Sequence, residues 1–566
     1  MFLGLAIEDW LVVLAYVVTI VLLGWRAKRK VKTSGDYFMA GRRGNKVKMI
    51  ANALGAGTHT DQAIAVAGAA YKIGLAGIWY QWVYLFVTPF FWLLSPIYRR
   101  LRYVTIADFY EERFGSRLAV AYTVMAMLYF AMDLGLILKG TATAISAITG
   151  GQIPAEPIVL FIAIFFLAYS VFGGMVSALT INLIQGAFIL LLSFLLIPFA
   201  LIRAGSIEAI KAKLPAYMFS FVAPHEVTLF FIIMIIINGL IGIVTQPHNL
   251  AVASSGKTEK SCRMGWTYGT FTKRIATLGW AFVGVFAAAL FPGLSERKRE
   301  LAFGIAVKNL LPVGLIGLMV AAMVAAALPV CHNYMVSGSA IFTRNVIKKY
   351  FKRDLTSELE LQVARWASIL IIAFGVTIAL TIPSIIKGLI LQMFLTSYFG
   401  ISFYAGIMWR RANRYGVWAS VFVAFLANLI IGPYLPFGLH LSVPWQIAIF
   451  LPAGFAALIA VSLLTEPEPE EKLVPFYSLL HTPVGEEFRL RAKGVEVKFE
   501  GDSESEDAVT DVPLEERGHS LILVDLLSLG KKFSFKRYRV DLEGFALALL
   551  FVLGIFAIGL FAAKIG

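Results

Sequence analysis

Long apolar runs recur along this chain, at 156–172, 183–202, 366–382 and 543–562. About 20 such residues cross the ~30 Å hydrocarbon core of a bilayer as a helix. Inside lipid every backbone N–H and C=O must find its partner within the protein, so the runs are helices rather than open sheet. None alternates with the two-residue period of a membrane barrel strand. Over 566 residues, 59% are hydrophobic and 15% charged, too little polar surface for a soluble domain of this length. The expectation is an all-α, multi-pass membrane protein of a cell membrane, inner or plasma.

Fourteen spans are expected, near 8–25, 46–72, 76–98, 118–149, 156–173, 176–203, 227–254, 264–292, 306–345, 362–383, 384–408, 415–436, 443–465 and 541–564. The net charge of +15 sits in short loops between them, which excludes a nucleic-acid partner as its reason. Loops 26–48, 99–117, 257–274, 344–365 and 410–414 carry 28 Lys and Arg, against 8 in the alternate loops. With an even number of spans, this asymmetry places both termini outside. Glu8 and Asp9 before the first run, and Arg26, Lys28, Arg29 and Lys30 after it, are the reverse of a signal peptide, so the first helix is expected to stay. Cys262 and Cys331 give no disulfide framework. Neither a nucleophile–base pair nor an HExxH motif marks an enzyme. No obligatory protein partner is implied; the lipid bilayer is one.

Two expected spans are interrupted. Gly55-Ala56-Gly57-Thr58-His59-Thr60-Asp61-Gln62 lies in the second, and Thr245-Gln246-Pro247-His248-Asn249 in the seventh. Glycine weakens a helix and Pro247 removes a donor. Unwound backbone at membrane depth is tolerated where it is buried in protein or lines a wet cavity. The two lie five spans apart, the pattern of two inverted five-helix repeats with a midplane site. The alternative is a pair of ordinary kinked packing helices. Asp133 and Lys139 are ionisable residues within the fourth span, about 240° apart on the helix and so not paired along one face. Asp133 is a candidate for solute or proton binding, while Lys139 can snorkel outward. His59, Asp61 and His332 form a further set suited to a proton-coupled cycle, since histidine titrates near neutral pH. Alternatively, each histidine hydrogen-bonds a carbonyl freed at a break.

Several segments resemble the sodium:solute symporter family. Asp36-Tyr37-Phe38-Met39-Ala40-Gly41-Arg42-Arg43 is similar to its "DYFLAGR" segment, and Thr105–Gly115 (TIADFYEERFG) to the loop after its third helix. Gly173-Gly174-Met175 with Gln185 resembles "GGM…TDxxQ", and Gln246-Pro247-His248 resembles "GQPH" of the proline-transporting branch. The resemblance implies a LeuT-type fold, alternating access, and sodium or another cation such as H+ as coupling ion, with no other cofactor. It implies a ten-helix core over 46–410, with repeats 46–203 and 227–410. Before it lies an N-terminal helix and loop (1–45), after it two helices (411–465), a cytoplasmic linker (466–540) and a last helix (541–566). The linker is expected to be loosely ordered, for it is acidic at EPEPEE, GEEF and EGDSESEDAVTD, with a basic stretch at 531–538 just before the final helix.

Carried over by matching flanks, the family's solute site falls on Gln62, Gln81, Tyr84, Gln246, His248 and Gln392. Amide side chains there suit a polar solute with hydrogen-bonding groups. The sodium site would use carbonyls of Gly55 and Thr58. The family's Ser-Thr hydroxyl pair is replaced by Pro329 and Val330, which offer no oxygen, and Asn182 stands where the family has Asp. The chain is thus expected to be a cation-coupled symporter of a small polar organic solute in which sodium is weakened. Rival readings are a proton-coupled or uncoupled transporter of the same fold, and a solute sensor that keeps it.

Overall fold

The structure is a computed structural model and describes residues 1–28, 45–173, 186–223, 226–351, 357–436, 438–497 and 520–565. The 36–43 segment, Gly174, Met175, Gln185 and Asn182 lie outside these residues, as does the acidic run 500–511.

Helix α1 (Ile7–Lys28) precedes a helix broken in two, α2 (Lys46–Gly57) and α3 (Thr60–Ile73). A 3-10 turn (Gly74–Ile78) leads to α4 (Trp79–Leu101), followed by the short α5 (Ile106–Phe114), then α6 (Ser116–Ile148), α7 (Ala155–Gly173) and α8 (Leu196–Ala204). A second broken helix, α9 (Leu229–Ile243) and α10 (Asn249–Ser254), runs into α11 (Glu259–Leu290). The long helices α12 (Leu315–Phe342), α13 (Ser357–Thr381), α14 (Ile385–Met408), α15 (Arg414–Ile431) and α16 (Val443–Leu464) follow. Two shorter ones, α17 (Glu470–His481) and α18 (Glu487–Arg491), precede the final α19 (Phe535–Ile565). Among the described residues, ten helices are long and apolar enough to cross a membrane, and Ala155–Leu167 and Leu229–Ile243 are apolar but shorter.

Two packed groups emerge. α11 lies against α2, α3 and α4, while α6 lies against α12 and α13; α9 and α14 pack together and touch α4 and α6 respectively. Small residues permit the closest crossings. A Cβ on Gly140 of α6 would lie 2.6 Å from Asp61 Cα, and one on Gly400 of α14 would lie 1.8 Å from the Ile241 carbonyl oxygen of α9.

The Thr105–Gly115 segment is a capped helix. Thr105 Oγ1 accepts from Asp108 N, and Asp108 Oδ2 accepts from the amides of Val104 and Thr105, a reciprocal capping box. That helix carries Arg113, buried, which donates to the carbonyls of Gly406, Trp409 and Arg410 at the end of α14. Arg411 likewise donates to Leu463 and Thr465 at the end of α16.

The stretch 466–497 is folded, unlike the loose linker its composition suggests. Tyr477 of α17 donates to the Gly406 carbonyl, and Glu468 receives Arg414 of α15 in a two-point pair at 3.0 and 3.1 Å. Arg102, fully buried at the end of α4, donates to Glu487 at 2.8 Å and to the carbonyls of Thr482 and Pro483. Glu259 at the start of α11 binds Arg100 and accepts from the Val484 amide. The segment therefore forms a strap across the ends of α4, α11, α14 and α15. Its order comes from buried guanidinium groups, each demanding several acceptors, which the strap's carbonyls and Glu487 supply.

Candidate solute site

Both interruptions are unwound backbone whose freed carbonyls are taken by side chains. At the first, Thr58 and His59 are extended between α2 and α3. Lys273 of α11 donates to the Gly57 carbonyl, and Thr60 Oγ1 bonds the Met323 carbonyl of α12 at 2.6 Å. At the second, the carbonyls of Ile243, Val244 and Thr245 accept from Asn249, Tyr98 and Tyr122 at 2.8, 2.8 and 2.9 Å. This is the backbone satisfaction that hydrocarbon depth requires. No described histidine serves as such a cap: His59 bonds the side chains of Asp61 and Gln62 instead.

Between the breaks lies a cavity of about 80 Å³. Gln62, Gln81, Tyr84, Asp133, Gln246, His248 and Gln392 all line it, together with His59. They come from α3, α4, α6, the second break and α14, so their meeting is a property of the fold rather than of one segment. Gln246 donates to the Tyr84 hydroxyl at 3.1 Å, and Asn249 ties back to Gln246 at 3.2 Å. The His248 ring packs on Tyr334 and Tyr129, with centroids 5.0 and 6.0 Å apart. His59, Asp61 and Asp133 hold ligand-type atoms within 4.8 Å of one another. Among the described residues, several buried polar atoms find no hydrogen-bond partner: Gln62 Oε1, Gln81 Oε1, Asp61 Oδ2, Asp133 Oδ1 and His248 Nδ1.

The remaining expected residues fall elsewhere. Gly55 lies in α2 behind the break, and Thr58 is buried at it. Val330 is fully buried in α12; Pro329 and His332 are in the same helix, but their side chains lie outside the described residues. Lys139 donates to the Ile382 carbonyl, just past the end of α13, at 2.8 Å.

Among the lining residues that escape the sequence reading are Lys273, Arg274, Tyr129 and Tyr334. Lys273 and Arg274 count as loop charges in a reading that ends the basic loop at 274, yet α11 begins at Glu259 and buries both. The signal was the unbroken helical pattern from 259 onward. Arg274 donates to the Gln81 carbonyl at 2.7 Å, and its guanidinium stands 5.4 Å from the Tyr84 ring centre. Two carboxylates, Asp61 and Asp133, and two cations, Lys273 and Arg274, thus share the site's surroundings.

Two broken helices enclosing a polar cavity within a shell of apolar spans define a multi-pass membrane transporter. The chain belongs to the sodium:solute symporter family, whose pattern it matches over residues 37–424. It is 25% identical to the sodium/glucose cotransporter of Vibrio parahaemolyticus, across 78% of this chain and 87% of that one. It is 23% identical to the osmoregulated proline transporter of Bacillus subtilis, across 73% and 87%. In fold it resembles a Na+-coupled sialic acid symporter in a substrate-bound outward-open state, with TM-score 0.70 and 18% identity over 82% of this chain and 99% of that one. A nucleobase-cation-symport-1 family transporter, Mhp1, superposes with TM-score 0.53 and 13% identity over 79% and 99%. These relatives and neighbours are transporters, not enzymes.

Sodium is a hard cation that needs oxygen ligands. At the position the resemblance assigns to sodium, Pro329 and Val330 supply no side-chain oxygen, and the Gly57 carbonyl at the first break receives the Lys273 amino group. Pro329 and Val330 do not supply the hydroxyl ligands that the resemblance implies for sodium.

Proposed function

We propose that this protein imports a small polar organic solute by alternating access, coupled to a cation gradient, with the cavity between the two broken helices as its binding site. The observation that carries the proposal is the convergence of seven polar residues from five parts of the chain on one cavity. Most of its unpartnered atoms are acceptors, namely Gln62 Oε1, Gln81 Oε1 and Asp133 Oδ1. A buried acceptor without a donor is costly, so a solute that brings hydroxyl or amine hydrogens is favoured over a bare anion. The formal charges of Asp61, Asp133, Lys273 and Arg274 cancel, which favours a solute without net charge. Pockets for organic ligands run to roughly 300–1,000 Å³. At about 80 Å³, this cavity takes a solute only as the two helix groups move apart, the motion alternating access supplies. In the proposed arrangement fourteen spans put both termini outside.

The test is a thermal-shift screen of the purified protein against sugars, amino acids, carboxylates and nucleosides, followed by counterflow in proteoliposomes with each hit. Gln62→Ala and Gln81→Ala are expected to weaken binding by roughly five- to 150-fold, from the loss of about 1–3 kcal/mol of hydrogen bonding, without loss of folded protein. Unchanged affinity in both would place the solute elsewhere. Binding without counterflow would favour a sensor that keeps the transporter fold.

A further inference from the structure

The break in the first core helix already holds a lysine side chain. Lys273 is 6% exposed, in the interior half of a 32-residue apolar helix, and its Nζ donates to the Gly57 carbonyl at the last turn of α2. It does not pair with a single carboxylate. Instead Asp61 and Asp133 lie close enough to act on it electrostatically, each with one oxygen lacking a hydrogen-bond partner. Arg274 beside it turns to the Gln81 carbonyl and the Tyr84 ring, so the two cations serve different places. A backbone carbonyl freed by helix unwinding, with carboxylates nearby, is the donor set that would attract a hard monovalent cation. Here it has an ammonium on a side-chain tether.

We propose that Lys273 is a built-in cation which replaces bound sodium at the break between α2 and α3. A tethered charge satisfies the Gly57 carbonyl and offsets part of the negative charge of Asp61 and Asp133 without the entropy of capturing an ion from solution. It also explains why oxygen ligands are dispensable on α12, where Pro329 and Val330 stand. The inference deepens the transport proposal and rests on it only for the word coupling, since the occupancy of the break is a property of the protein alone.

The experiment follows thermal unfolding of the full-length protein in detergent, in sodium chloride and in choline chloride at equal ionic strength. The probe is sodium itself, and no solute is needed. Lys273→Ala removes the ammonium and leaves the carbonyl and both carboxylates facing the vacated room. It is expected to melt lower than wild type in choline and to gain about 3 °C or more from sodium beyond any gain of the wild type. Lys273→Arg keeps the charge and is expected to show the wild-type response to sodium. Should Lys273→Ala not accumulate as folded protein, Lys273→Gln carries the same readout, with a donor for Gly57 but no charge. A neutral variant destabilised equally in both salts would show that Lys273 merely caps a carbonyl, and the proposal falls. Failure of the transport reading appears in a different place, as absence of counterflow with every hit, and leaves these melts unaffected.

Discussion

At the scale of single residues, the site is built from groups that are expensive to bury in an apolar helix, and that expense made most of them legible. Gln62, Gln81, Asp133 and Gln392 each interrupt an apolar run, and all four line the cavity. Lys273 and Arg274 were hidden by continuity: they follow the basic loop without a break in composition, and only the packing of α11 against α2 and α4 puts them inside. Tyr129 and Tyr334 gave no signal, because tyrosine is as ordinary in a packed span as in a pocket. Glycines work the other way, by absence. Gly400 lets α14 approach the Ile241 carbonyl so closely that a methyl group has no room. Gly400→Ala is therefore expected to destabilise the protein by about 1–3 kcal/mol or more, read as a lowered melting temperature. Gly554→Ala on α19, where nothing lies within 4 Å, serves as the control and should melt like wild type.

Among elements, the broken helices and the strap differ in how far their partners lie along the chain. Both breaks announce themselves locally, by glycine and proline within apolar sequence, and they occur at Thr58–His59 and around 244–248. The strap does not, because acidic, proline-rich sequence reads as solvated linker unless its partners are known. Those partners are Arg100 and Arg102, some 380 residues earlier. Glu487→Ala leaves buried Arg102 with carbonyl acceptors only. Removing one partner of a buried pair costs about 3–5 kcal/mol; with the Glu487 side chain 20% exposed, roughly 1–3 kcal/mol is expected here. The variant should melt lower, and trypsin should cut at Arg489 and Arg491 earlier than in wild type. An unaltered cleavage pattern would mean that the strap is held without this pair.

For the whole molecule, the proposed orientation rests on the uneven distribution of basic residues among the loops. Cys262 and Cys331 are buried, so the native protein offers an impermeant maleimide little to react with. In right-side-out vesicles, Lys213→Cys is expected to label from the outside and Lys493→Cys only after permeabilisation; the reverse result would invert the orientation. Both positions are exposed in the fold. The basic residues that bias orientation are not idle once the chain has folded. Arg113 and Arg411 close the carboxyl ends of α14 and α16 through main-chain carbonyls, where the helix dipole also favours a cation. Biogenesis and architecture thus draw on the same guanidinium groups. Substituting Arg113 or Arg411 would therefore remove a helix cap together with a charge that contributes to the proposed orientation.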